Sequence, residues 1–458
     1  MSASPHRRVL PDAPGRRGWC PGLARPMQTG DGLLARVHPP LGMLSLAQAR
    51  AVAQGARQYG NGHLDLTARA NLQIRGVSVA SSAPLARLLT EAGLGDRRAD
   101  GGPQRLTLTQ PLAGQDPAEL FDVPALARAI EAAALAIPGL PAKTLAVVDG
   151  RPDAAVPEAD CHVVVRDATQ VEVVIAVADG MQTLTECAAT EAAAVVTALL
   201  VAFARTGRRR IRDLSEDERA TLAGSVATAA AGQPRRSEAA TPRSLPRSGE
   251  REMRGLPFTP PAGLQTRPDL QILALDAPFG RCTADALDQV VFAAEGIGVN
   301  VIRLSATRGF VLLAPADAPA AAALADLASD FIVTPDDPRR SVDACTGAPG
   351  CASGSTPTLA DAARIADIFR PLAAQGYAAH VSGCAKGCAR PAPAELTLIG
   401  AHGGYGIVID GAPGDEPAIH LPIEAVLDRL GRAKTVGLAA AFAHNTGRPD
   451  NGRDGRSA

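Results

Sequence analysis

Lysine is almost missing from this 458-residue chain: of its 46 basic residues only Lys143, Lys386 and Lys434 carry an ammonium. Two of the three, Lys143 and Lys386, fall inside the motifs discussed below, a placement that suggests sites wanting a compact ammonium rather than a guanidinium fork. An excess of charge of either sign is missing too. The formal net charge is −1, which leaves no global basic field for nucleic acid. No long apolar run stands at the start, which reads Ser2-Ala3-Ser4-Pro5-His6-Arg7-Arg8 and lacks the core of a signal peptide. The most apolar stretch, about 183–205, contains Glu186 and Glu191. It reads as a buried alanine-rich helix rather than a membrane span. Eight cysteines in a chain of this length are not a disulfide framework. Nucleic acid and membrane are therefore not expected partners, and the cytoplasm is the expected location.

Four of those cysteines stand in two tight pairs, Cys345-Thr346-Gly347-Ala348-Pro349-Gly350-Cys351 and Ser382-Gly383-Cys384-Ala385-Lys386-Gly387-Cys388. Four thiolates on two glycine-rich loops make an all-sulfur cage, suited to an iron–sulfur cluster or zinc. Zinc knuckles usually space their cysteines by two to about four residues, and the first pair here is wider. A disulfide suits an exported protein better. A [4Fe–4S] cluster on Cys345, Cys351, Cys384 and Cys388 is the expectation, with glycines letting backbone N–H groups reach the sulfurs.

A shift of 238 residues lays Pro40-Leu41-Gly42 over Pro278-Phe279-Gly280, Ser45 over Thr283, and Leu66-Thr67-Ala68 over Leu304-Ser305-Ala306. Each copy predicts a strand (33–38; 270–275), a helix opened by the hydroxyl of Ser45 or Thr283, and two more strands (63–67 with 71–77; 299–304 with 309–314). A repeated β-α-β-β pattern implies two half-domains joining in one pseudo-symmetric unit. Between them, strands are expected at 106–109, 145–149, 162–166 and 171–177, followed by the apolar helix. Near the cysteines, apolar spacing predicts a helix over 358–376 and a strand over 377–382. The arginine-, serine- and proline-rich stretch 231–255 reads as a flexible linker, and the tail from about 445 as disordered.

The cysteine loops, ending Ser-Gly-Cys-x3-Cys-Ala-Arg-Pro, resemble those of the sulfite and nitrite reductase superfamily, in which a [4Fe–4S] centre sits against sirohaem. The start Gly18-Trp19-Cys20-Pro21-Gly22-Leu23-Ala24-Arg25-Pro26-Met27, with Gly30-Asp31-Gly32-Leu33-Leu34-Ala35-Arg36, resembles the precorrin-3B synthase family within it. The likeness implies an α+β fold with duplicated ferredoxin-like half-domains and two larger α/β domains. The expected order is a half-domain over 18–82, an α/β domain over 83–230, the linker, a second half-domain over 256–319, and a cluster-binding α/β domain over 320–444.

It also implies a tetrapyrrole pocket lined by cations, since arginine pairs bidentately with carboxylates. Arg36, in the expected first strand, stands at the place where these reductases have an arginine facing the active site. Thr67-Ala68-Arg69-Ala70-Asn71-Leu72-Gln73-Ile74-Arg75-Gly76 resembles a Thr-x-Arg-x-x-x-Gln-x-x-Gly signature, nominating Arg69, Gln73 and Arg75. Leu140-Pro141-Ala142-Lys143 resembles Leu-Pro-x-Lys, nominating Lys143. On a strand, Asn71, Gln73 and Arg75 would share one face. The competing reading is that these are ordinary solvated arginines, as the run Arg208-Arg209-Arg210 is read to be. Two departures stand out: Leu145 replaces a second lysine of the reductases, and Pro111–Pro117 lacks their anion-binding arginine. Both fit a pocket whose tetrapyrrole is the substrate.

The synthase resemblance implies precorrin-3A and O2 as substrates. It also raises a mononuclear non-haem iron, although no 2-His-1-carboxylate spacing nominates ligands and His38, His63, His380 and His402 read as structural. Cys20, Cys161, Cys187 and Cys282 read as packed hydrophobes, Cys20 alone standing in a motif turn. Gly400-x-x-Gly403-Gly404-x-Gly406 opens a hairpin, not a dinucleotide site, so electrons would come from a separate NAD(P)H-dependent donor. The alternatives are a sirohaem-dependent sulfite or nitrite reductase, with Cys388 bridging cluster and haem, and a non-enzymatic electron-transfer or tetrapyrrole-carrier protein.

Overall fold

The computed structural model describes residues 20–230, 244–245, 256–401 and 403–443. Most of the expected linker, the expected tail, Gly18, Trp19 and His402 lie outside them. The described residues divide into two compact units, one ending at Pro335 and one beginning at Asp336.

The first unit opens with β1 (Gly32–Val37), β2 (Met43–Ser45), α1 (Leu46–Tyr59), β3 (His63–Leu66), β4 (Leu72–Val77) and α2 (Val79–Glu91). Ser45 caps α1 as its sequence position requires: its hydroxyl accepts from the Gln48 N–H, and the Gln48 side chain accepts from the Ser45 N–H. Next come β5 (Thr107–Thr109), α3 (Val123–Ala134), β6 (Ala146–Asp149), β7 (Cys161–Val165), β8 (Gln170–Val177), β9 (Gly180–Ala188) and α4 (Ala192–Arg205). The stretch expected to be helical from about 183 is strand as far as Ala188. Gly180 turns the chain into a hairpin with β8, and Thr183 and Thr185, both β-branched, fit the pleat. Strands β5, β6 and β7 run parallel while β8 and β9 run antiparallel beside them.

The second copy follows as β10 (Leu270–Asp276), β11 (Arg281–Thr283), α5 (Ala284–Gly296), β12 (Val301–Leu304) and β13 (Gly309–Pro315). The duplication extends to strained backbone. Leu41 and Phe279 share a positive φ (53° and 56°), as do Ala70 and Arg308 (50° and 67°), each pair 238 residues apart. Residues with side chains avoid that region, so its recurrence marks one local design used twice. The halves also exchange strands. β11 completes the first sheet beside β3, β2 completes the second beside β12, and α1 packs on α5. Leu44, Val52, Leu64, Ile74, Leu287, Val290, Ile302 and Phe310 are buried in the shared core. Each such aliphatic or aromatic side chain is worth about 1.5–3 kcal/mol when fully buried. Ala320, Leu324, Leu327 and Phe331 pack into the same core.

The second unit holds β14 (Val342–Ala344), α6 (Thr358–Ala373), β15 (Ala379–Ser382), β16 (Ala394–Ala401), β17 (Gly404–Gly411), β18 (Ile419–Leu421) and α7 (Ile423–Val436). Its sheet is ordered β14-β15-β16-β17-β18, with the first three parallel. The Gly400–Gly406 stretch forms the β16–β17 hairpin, as its glycines imply. No described helix is long and apolar enough to cross a membrane.

One nominated residue is placed by the fold rather than by a pocket. Arg75 is 3% exposed and is held by Asp31 at 2.7 Å and Asp65 at 3.0 Å. Arg75→Met would leave Asp31 without its cation, while Arg281 still covers Asp65 at 2.6 Å. A loss of about 3 kcal/mol is expected, the lower end for breaking a buried pair, read as a lower urea midpoint. Burial works against the Asp31 carboxylate, but the Arg75 bond and charge outweigh it and hold its pKa below the ordinary value. That stabilisation is present above the unfolded carboxylate pKa and is lost as pH falls through the lowered one. Arg75→Met should therefore show a smaller loss of stability on acidification than the parent.

Candidate functional site

Across the face of the first sheet, four side chains stand in one row. The strand register aligns Arg36 with Gln73, Gln73 with Asp65, and Asp65 with Arg281. Directly paired residues of antiparallel strands project to the same side, so the row is a continuous polar stripe. Arg36 donates from Nε and Nη2 to the Gln73 carbonyl oxygen at 3.2 and 2.7 Å. Asp65 takes Arg281 and Arg75. In the second sheet the matching row is Ala274, Val311, Arg303 and Met43. There Ile272, Ala274 and Val311 form an apolar patch under Leu112, and Arg303 donates to the Pro111 and Ala113 carbonyls at 2.8 and 3.0 Å. Only one copy of the duplicated sheet keeps a polar face.

Arg36 and Arg69 are brought together, although Arg69 does not lie on a strand. It sits in the β3–β4 turn, where Thr67 Oγ1 accepts from the Arg69 and Asn71 N–H groups at 3.3 and 3.2 Å. Strand alternation therefore does not govern it. Its Nη1 donates to the Lys143 carbonyl at 3.0 Å. It is thus the Lys143 backbone that joins the cluster, while its side chain is exposed. Gln73 orients Arg36, and Arg75 is spent on Asp31 and Asp65; a β-bulge with Gly76 at φ +68° interrupts the pairing of β4 there.

Three neighbours escaped the motif reading. Arg105 is buried and donates to the Pro39 carbonyl at 3.2 Å and to the Arg69 carbonyl. Burial lowers its pKa to about 10. Arg210 was grouped with a solvated run, but it turns inward to Asp160 at 2.9 Å, and its charge reaches Arg69. Cys20 lies beside Arg36. A run of three arginines hides which one faces inward, and a lone Arg105 before a strand has no signature at all. Burial lowers the pKa of Arg36 and Arg69 as well. Two carboxylates lie near them and already have donors: Asp160 accepts from the Leu145 and Ile211 N–H groups and from Arg210, and Glu131, near Arg105, accepts from the Leu106 and Thr107 N–H groups and the Thr107 hydroxyl. Arg36, Arg69 and Arg105 consequently have neutral oxygens as hydrogen-bond acceptors. A partly desolvated set of guanidiniums in this condition suits a polyanionic ligand.

In the other unit, β14 and β15 are adjacent parallel strands whose carboxyl ends deliver Cys345 and Cys384. The Cys345 N–H donates to the Val381 carbonyl at 3.3 Å. Glycines nest the two loops. A Cβ on Gly383 would stand 3.1 Å from Gly347 Cα and 3.2 Å from Gly354 Cα. Gly347 has φ +59°, and a Cβ there would meet Thr358 Oγ1 at 2.3 Å. The Gly383 N–H donates to Cys345 Sγ at 3.1 Å, and Lys386 reaches Ser353 on the facing loop at 3.2 Å. Burial and then the charges of the other sulfurs push the Cys384 thiol up, while the Lys386 N–H pulls it down. Cys388 is the member open to solvent.

Among the described residues no group of three or more His, Cys, Asp or Glu is arranged around one metal ion. A [4Fe–4S] cluster asks for something else, one cysteine for each of four separate irons. The glycine cradle and the amide aimed at Cys345 fit that group.

Comparison with known proteins gives a consistent picture. Residues 25–92 match the nitrite/sulfite reductase ferredoxin-like half domain. A precorrin-3B synthase from Sinorhizobium sp. is 35% identical over 434 residues, covering 91% of this chain and 88% of its own. A ferredoxin–nitrite reductase from Synechococcus elongatus is 25% identical over 429 residues, covering 84% and 79%. The solved structure of the Mycobacterium tuberculosis NirA protein has the same fold, with a TM-score of 0.63 at 20% identity over 88% of this chain and 80% of that one.

His38 gives this site a pH signature. Burial first, then the charges of Arg36 and Arg105, bring its pKa down to about 3. The imidazole should stay neutral wherever the protein is folded. Because the unfolded chain would protonate it near pH 6.5, His38 costs stability as pH falls below that value. The ring-carbon shift of His38, assigned through His38→Gln, is expected to stay flat from pH 8 to about 5.

Proposed function

The chain belongs to the precorrin-3B synthase family, within the sulfite and nitrite reductase superfamily, and from that premise we propose that it hydroxylates precorrin-3A. In this reading O2 delivers one oxygen atom to the C20 meso carbon, and the ring A acetate closes to a γ-lactone. The second oxygen atom leaves as water, with two electrons and two protons supplied. The electrons come from NAD(P)H through a separate donor protein. The cytoplasm is the natural place for such a reaction.

The observation that carries the substrate assignment is the cation excess of Arg36, Arg69 and Arg105, whose hydrogen-bond acceptors are neutral oxygens. A macrocycle fringed with acetates and propionates supplies the missing charge. Gln73 would hold the Arg36 fork in one orientation, so that less freedom is lost when a carboxylate binds. Arg69, fixed through the Lys143 carbonyl, would hold a second. Lys143 has an exposed ammonium that would close over the ligand from solvent. Together they orient the macrocycle, and orientation is what a regioselective attack on one meso carbon demands. Neutral His38 adds no further charge. Cys345, Cys351, Cys384 and Cys388 would hold a [4Fe–4S] cluster, which supplies electrons singly.

The reading is tested on anaerobically purified protein. It should turn over precorrin-3A with O2 and a competent reductant, and it should lack the absorption bands of sirohaem. Stoichiometric sirohaem with six-electron sulfite or nitrite reduction would instead identify a reductase. About four iron and four sulfide per chain are expected, and both should be lost in Cys384→Ser. A desolvated charge-assisted contact is worth roughly 1.5–3 kcal/mol. Arg36→Ala, Arg69→Ala and Lys143→Ala should therefore each weaken precorrin-3A binding about ten- to a hundredfold with iron content unchanged. Arg209, exposed beside the inward-facing Arg210, is the control and should bind normally as Arg209→Ala.

A further inference from the structure

A buried carboxylate stands beside the cysteine cradle and takes no part in holding it. Asp361, in the first turn of α6, is 5% exposed. Its Oδ2 accepts from the hydroxyl of Tyr405 at 2.5 Å, and Tyr405 on β17 is itself 1% exposed. Thr358, one turn before Asp361 on the same helix, donates its hydroxyl to the Cys345 carbonyl at 2.5 Å. Residues three apart share a helix face, so Asp361 lies just behind the first cysteine loop. The charge of Cys345 also reaches the Tyr405 hydroxyl, whose pKa is raised by burial and by Asp361. Tyr405 thus remains the donor of this bond and the carboxylate the acceptor.

Pinning α6 to β17 does not require a charge. An amide or an apolar pair would do the same at less desolvation cost, and no lysine or arginine among the described residues forms an ion pair with Asp361. We propose that Asp361, screened by Tyr405, is a positioning residue that sets the reduction potential of the group held by the four cysteines. A fixed negative charge near the sulfurs disfavours an added electron. It opposes the Gly383 amide bonded to Cys345 Sγ, because hydrogen bonds to sulfur and local charge both tune such a group. Tyr405 spreads part of the carboxylate charge and so moderates its effect.

The inference rests on the cluster reading, and iron and sulfide content separates the two. Protein without iron and sulfide sinks the cluster reading itself. With the cluster present, the midpoint potential is followed by EPR-monitored redox titration at constant pH. Asp361→Asn keeps an acceptor for Tyr405 and removes the charge. Its cluster should be about tenfold easier to reduce, which for a one-electron couple is about 59 mV upward. Tyr405→Phe keeps the charge and removes its screen, so its potential should move down. A purely structural pair would change cluster retention or thermal stability and leave the potential alone. Unchanged potentials at full iron content, or shifts of the same sign in both variants, would overturn the proposal. Should Asp361→Asn fail to retain its cluster, Tyr405→Phe decides alone, a downward shift supporting the idea and any other result rejecting it.

Discussion

Placing positive charge out of water with neutral oxygens as its hydrogen-bond acceptors is the constraint on which the first unit depends. A buried guanidinium needs acceptors, and this fold supplies neutral ones: the Gln73 amide, the Lys143 carbonyl, the Pro39 carbonyl. Carboxylates are used elsewhere. Asp65 and Asp31 neutralise Arg75 and Arg281, and Asp160 neutralises Arg210. The sheet face is therefore divided into an end where arginines and carboxylates pair with one another and an end where guanidiniums bond neutral oxygens.

Duplication explains how such a division can be tolerated. The two half-domains share a backbone plan down to matching left-handed residues, and they exchange strands so that neither sheet is complete alone. The second copy spends its matching face on packing, with Leu112 over Ala274 and Val311. One copy carries stability while the other carries charge. Arg303 shows the same economy: it stands at the position matching Asp65, and it pins the covering loop through two carbonyls.

The cysteine loops solve a different problem, close approach. Gly347, Gly354 and Gly383 touch backbone to backbone, where any side chain would wedge the loops apart. The parallel pairing of β14 and β15 then sets Cys345 and Cys384 at neighbouring strand ends. That arrangement follows the general habit of parallel sheets, which place their chemistry at the carboxyl ends of strands.

Much of this was readable from residues alone. Cysteine spacing, glycine placement, the hydroxyl caps Ser45 and Thr283 and the 238-residue repeat are local signals, each set by backbone sterics or by one side chain's chemistry. Arg36 and Arg69 were nominated through their motifs, and the fold brings them near each other. What the chain alone could not tell was which charges would find partners. Arg75 looked as available as Arg69, yet Asp31 and Asp65 claim it through a turn and a neighbouring strand. Arg210 looked solvated, and Asp160, 50 residues away, draws it in. The helix expected from 183 became a strand because β8 offered it a hairpin partner. Local rules decide what a segment can form; pairing between distant residues, set only when strands take their register, decides which cations find a carboxylate.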